Sequence, residues 1–161
     1  MPHRNRPRST LAARVVMALA LATAVPATFA AQPAPAYGIR VRAACLLTNA
    51  ATTRVLADLS CESAMNCWSE PEAMSLLDAA SDEGVAAAPG ELLYVDGGGS
   101  VLAEPPMQGT IRAIWAATLE QPPAPRRLQL AVDGVAATAP FEPAADCAAL
   151  PPAAVKRLSG G

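Results

Sequence analysis

The sequence predicts an α+β domain that is mainly β, a small antiparallel sheet or two-layer domain of about six strands with one α-helix over about residues 70–82, stabilised by disulfides. Three observations carry this. Short apolar runs with period-two alternation recur beyond residue 37, separated by Gly, Pro and Asx turn signals. One segment instead has helical spacing behind a capping box. Four cysteines, an even number, sit in a chain whose N-terminus has the layout of an export signal.

That layout is read first because it sets the compartment. Arg4, Arg6, Arg8 and Arg14 precede an uncharged apolar run at 15–25, the order of an n-region and an h-region. Pro26 ends the run after eleven residues, short of the about 20 that a membrane-spanning helix needs. Small residues at Thr28 and Ala30 favour cleavage after Ala30, and Ala34-Pro35-Ala36 offers a second site that would begin the mature chain at Tyr37. Residues 1–30 are therefore expected to be a Sec-type secretory signal peptide and 31–36 an Ala/Pro linker. The first cysteine, Cys45, stands twenty residues past Val25, so no lipid anchor is expected. The N-terminal arginines also lack the adjacent pair of a twin-arginine signal. A periplasmic or secreted protein follows, with no membrane insertion after cleavage, and the Ala-, Pro-, Gly- and Arg-rich usage points to a bacterial source.

Removing the signal changes the charge. All 14 acids but only 8 of the 12 basic residues lie beyond residue 30, so the remainder carries −6 rather than −2. Such a domain is a poor match to phosphate backbones or anionic lipid, which disfavours nucleic-acid and membrane-surface partners. The chain is 52% apolar, yet beyond residue 30 its only aromatics are Tyr37, Trp68, Tyr94, Trp115 and Phe141. Alanine does most of the filling, and at roughly 25 cal/mol per Å² it gains little per residue. Cross-links then matter.

Cys45, Cys61, Cys67 and Cys147 allow three connectivities. The preferred one joins Cys61 to Cys67 across a short loop and Cys45 to Cys147, tying the C-terminal region to the first strand. In the chain-entropy model a closed loop of about 100 residues is worth roughly 4 to 5 kcal/mol.

The body of the domain is assigned to 37–150. Ile39, Val41 and Ala43 alternate with Arg40, Arg42 and Ala44, the 48–53 stretch is turn-like, and Val55, Ala57 and Leu59 share one side of the following run, which makes a hairpin. Ser69 with Glu72 forms the capping box, Pro71 fits a first helical turn, and Ala73, Leu76, Leu77 and Ala80 make one face of the expected helix. Asp78, Asp82 and Glu83 crowd its negative end, which opposes the helix dipole. Strands are expected at 91–96 and 100–103 around the Gly97-Gly98-Gly99 turn, then at 110–119. After a Pro-rich loop at 121–125, further strands at 128–132 and 135–139 flank Asp133-Gly134, a type I′ hairpin signal. Prolines 140, 143, 151 and 152 are read as terminators and 151–161 as a loosely attached, flexible tail.

Function is constrained mostly by what is missing. The only histidine, His3, precedes the expected cleavage site, which removes histidine-activated nucleophiles, HExxH zinc sites and histidine general bases from the exported part. No catalytic or cofactor-binding motif is assigned, and no cofactor or metal is expected. The expectation is an exported, non-catalytic binding or structural module with a protein or small-molecule partner. Two alternatives have chemistry behind them. A carboxylate-dependent hydrolase could use Glu91 with Asp96, or Glu70 with Glu72. Cys61, Met65 and Cys67 place three sulfur donors within seven residues, a soft set suited to Cu(I). The segment Asp96-Gly97-Gly98-Gly99-Ser100 could cradle an anion through its backbone N–H groups, but it lacks the lysine and spacing of a P-loop and is read as a turn.

Overall fold

A computed structural model describes residues 38–61, 71–107 and 109–159, all within one unit spanning Gln32–Gly161. The expected signal peptide, linker and capping-box Ser69 lie outside the described residues. The alternating runs form eight strands: β1 (Ile39–Thr48), β2 (Thr53–Cys61), β3 (Met74–Asp78), β4 (Gly84–Val85), β5 (Glu91–Tyr94), β6 (Ile111–Leu119), β7 (Leu128–Val132) and β8 (Val135–Ala136). They make two four-stranded antiparallel sheets, ordered β1-β2-β6-β5 and β4-β3-β7-β8. The mainly β, two-layer reading holds, with two strands more than expected.

The hairpins form where the turn chemistry asks for them. The β1–β2 turn is closed by Asn49, whose Oδ1 accepts the backbone N–H groups of Ala51 and Thr52 at 3.0 and 2.8 Å. In the β7–β8 turn, Asp133 and Gly134 both take positive φ, 50° and 75°, as a type I′ turn requires. The two sheets pack face to face because the period-two residues of each point inward. Val55, Ala57 and Leu59 of β2 and Trp115 and Ala117 of β6 meet Met74 and Leu76 of β3 and Leu128, Leu130 and Val132 of β7. Trp115 is 1% exposed and rests on the backbone of Gly90, where a Cβ would stand 2.1 Å from its Nε1.

The helix expected over about 70–82 is not formed. A short 3₁₀ turn, Pro71–Ala73, leads into β3, in which Met74 and Leu76 are buried and Ser75 is exposed. A helix of this length is marginal by itself, and its acidic C-terminal end works against the dipole. Pairing from Met74↔Val132 to Asp78↔Leu128 instead gives the segment a five-residue antiparallel ladder and buries Met74 and Leu76. Asp78 then serves the turn that follows, its Oδ1 accepting Ala80 N–H at 2.9 Å and its carbonyl accepting Asp82 N–H at 2.8 Å.

The helix lies instead at the C-terminus, as α1 (Pro152–Leu158). The segment expected to be a flexible tail is thus ordered through Ser159. Pro152 sits at the start of the helix, where a missing N–H costs nothing, and Lys156 and Arg157 occupy the last turn, where cations suit the dipole. Ala154 and Leu158 are buried against the outer face of the first sheet, beside Leu56, Ile114 and Ala116. Arg54 donates from Nη1 to the carbonyl of Leu158 and pairs with Glu91 at 3.2 Å, fixing the helix end to β2 and β5.

Cys45 and Cys147 are bridged across 102 residues, as expected. Cys45 is fully buried, and the adjoining segment continues the anchorage: Ala144 N–H donates to Ala44 and Leu46 N–H donates to Ala144, both at 2.8 Å. No described cysteine is free. Cys67, and with it the expected Cys61–Cys67 pairing, lies outside the described residues. No helix among the described residues is long and apolar enough to cross a membrane.

Candidate functional site

Among the described residues, cover over the outer face of the first sheet is confined to one half. α1 and the disulfide occupy the half that holds Leu56, Ile114 and Ala116. On the other half two opposite charges stand together, Asp58 on β2 and Arg112 on β6. Alternation places both on this outer face, since their neighbours Ala57, Leu59 and Ala113 turn inward or are buried. The carboxylate of Asp58 is 3% exposed and accepts from Arg112 Nε at 2.9 Å and Nη2 at 2.6 Å, a two-point contact. That hydrogen bond, with further attraction from Asp58 and Asp96, raises the Arg112 pKa above its already high ordinary value despite burial. Arg112 is a fixed cation at any physiological pH.

Above the pair opens a cavity of about 310 Å³, at the small end of ligand-binding pockets. Two parts of the chain distant in sequence build it, β1 and the stretch 95–112. Arg42 comes from β1, where the register slips between Val41 and Ala43 and leaves Arg42 as the extra residue of a bulge. Bulges re-aim side chains in this way. Asp96 and Gly97 come from the turn after β5, and Leu102, Pro106 and Thr110 from the segment leading into β6. Val95 forms the floor beside Arg112, its N–H donating to the Arg112 carbonyl at 3.0 Å.

Asp96 is held in place by its turn. Its Oδ1 accepts Ser100 N–H at 2.8 Å, its own N–H donates to the Ser100 carbonyl at 3.0 Å, and Gly99 takes φ of 85° to close the loop. The glycine-rich segment is therefore a turn, as expected, and its first residue also lines the cavity. Arg42 is exposed and has no ion pair among the described residues. The Nε–Nη2 edge of Arg112 faces Asp58, which leaves Nη1 for a ligand.

The sequence-based carboxylate pair does not assemble. Glu91 opens β5 and pairs with Arg54, whereas Asp96 follows the other end of the strand, five residues and about 16 Å away at the usual rise. Two carboxylates that cleave a glycosidic bond stand about 5 to 9.5 Å apart. Glu70, Met65 and Cys67 lie outside the described residues. Among the described residues no group of three or more His, Cys, Asp or Glu side chains could hold a metal ion. Asp58, Arg112 and Arg42 were not legible as a site from the sequence, although a single acid within TRVLADLSC and a single base within IRAIWAATL are a readable signal for a buried cross-strand pair.

Compared with protein-family models, with curated proteins and with solved structures, the chain matches none.

Proposed function

We propose that this chain is an exported binding domain that holds a small ligand in the Arg42/Asp96/Arg112 cavity and performs no chemistry on it. The observation that carries the reading is the convergence of polar side chains from β1, the β5–β6 segment and β6 around one apolar-walled cavity, with the central one locked by a buried partner. Rigid first contacts supported by a buried second set are what a binding site needs, and nothing in the cavity supplies a nucleophile with an activating base. Export is supported by the N-terminal order of arginines and apolar run. The Cys45–Cys147 bridge adds to it, since such bonds persist in oxidising compartments.

Two measurements test this. N-terminal sequencing of protein recovered outside the cytoplasm is expected to begin at Ala31 or Tyr37, and a retained Met1 would contradict export. A thermal-shift screen of the oxidised protein against small anions, cations and neutral molecules is expected to raise Tm for one class by mass action. A flat response to every class would contradict the binding role.

A further inference from the structure

We infer that the cavity selects a small monocarboxylate with a short apolar tail, an inference that rests on the binding role proposed above. Asp58 is consumed by the Nε–Nη2 edge of Arg112 and faces away from solvent. The groups left to a ligand are therefore Arg42, with no ion pair of its own among the described residues, Nη1 of Arg112, the Thr110 hydroxyl and the Gly97 N–H. These are donors. The one carboxylate in the lining, Asp96, already receives Ser100 N–H on its Oδ1. Asp58 already neutralises Arg112, so Arg42 is the cation of the lining with no carboxylate paired to it among the described residues, and a single negative charge matches it where a doubly charged phosphate overshoots.

Val95, Leu102 and Pro106 make the remaining wall. They offer a phosphate nothing, whereas an aliphatic tail of three or four carbons removes apolar surface from water on both sides. A carboxylate also matches guanidinium geometry, each planar fork presenting parallel donors to two oxygens. The size allows it, because about 310 Å³ takes a molecule of seven or eight heavy atoms with room for a few waters.

Isovalerate is the probe, titrated into the full oxidised protein and followed by backbone amide shifts of residues 95–97 and 112. Isoamyl alcohol, inorganic phosphate and leucine serve as comparisons. Saturable binding of isovalerate is expected, with the alcohol and phosphate each at least about tenfold weaker, the size of one lost charged hydrogen bond. Leucine is expected to be weaker as well, because its ammonium would be desolvated beside Arg42 and Arg112. Arg42→Gln, at an exposed position with no ion pair to lose, is expected to keep the fold and weaken isovalerate about tenfold. Equal binding of the alcohol, tighter binding of phosphate or leucine, or an unchanged affinity in Arg42→Gln would each overturn the ligand class. In those cases shifts at residues 95–97 and 112 would still uphold the cavity as a binding site. Absence of shifts there with all four probes would overturn both.

Discussion

Replacing Asp58 with Asn keeps the shape of the side chain and removes the charge that holds Arg112. The carboxylate is 3% exposed and the guanidinium 15%, with 2.6 Å between Oδ2 and Nη2. Removing one partner of a buried pair costs about 3 to 5 kcal/mol, because the other charge is left uncompensated. Here Asp96 still attracts Arg112, which also lines the cavity, so the lower end, about 3 kcal/mol, is expected. With an m-value of about 1 to 3 kcal/mol/M in urea, the midpoint falls by about 1 to 3 M at unchanged slope. The sign of the linkage adds a control. A cation whose folded pKa is raised gives stability that is complete below its unfolded value and lost only as pH climbs through the folded one, so the Arg112 titration adds no slope between pH 5 and 9. Arg112→Met alone strands the carboxylate and should cost as much. Asp58→Leu with Arg112→Met replaces both by apolar groups and should return to within about 1 kcal/mol of the parent. A loss below about 1 kcal/mol in Asp58→Asn, or a double variant as unstable as the two single losses added together, would refute the pairing.

Three other perturbations probe the frame. Cys147→Ser opens a loop closed across 102 residues and should cost about 4 kcal/mol by chain entropy, with Cys45, fully buried, reacting with thiol reagents only on unfolding; an unchanged urea midpoint would contradict this. Leu158→Ala removes a side chain 1% exposed from beneath α1 and should lower stability by about 2 to 5 kcal/mol, whereas a loosely attached tail would show no change. Gly90→Ala drives a Cβ to 2.1 Å from Trp115 Nε1 and 2.5 Å from Cε2, so a loss of at least about 1 to 3 kcal/mol and altered tryptophan fluorescence are expected; a silent variant would contradict the Trp115 packing.

The strands and hairpins were legible because each is written locally. Val55, Ala57 and Leu59 alternate into the core, and Asp133-Gly134 permits only a turn with two positive φ values. The Cys45–Cys147 bridge followed from parity and from the placement of its ends. Residues 74–78 misled because Met74, Leu76 and Leu77 suit a helical face as well as a strand, and only the presence of β7 decides between them. Pro151-Pro152 misled in the opposite direction, since the same residue that stops one element starts α1. The cavity was least legible. Arg42 reaches it through a bulge and Arg112 through a partner 54 positions away, and neither relation leaves a local pattern.

The ligand's position in the cavity is the most direct test of the binding account. Isotope-filtered nuclear Overhauser spectra of the isovalerate complex report which protein protons lie within about 5 Å of the ligand methyls. Cross-peaks to the methyl groups of Val95 and Leu102, weaker in Arg42→Gln at the same sub-saturating ligand concentration, are the expected result. Cross-peaks to another face of the protein, or none at saturating ligand, would contradict it.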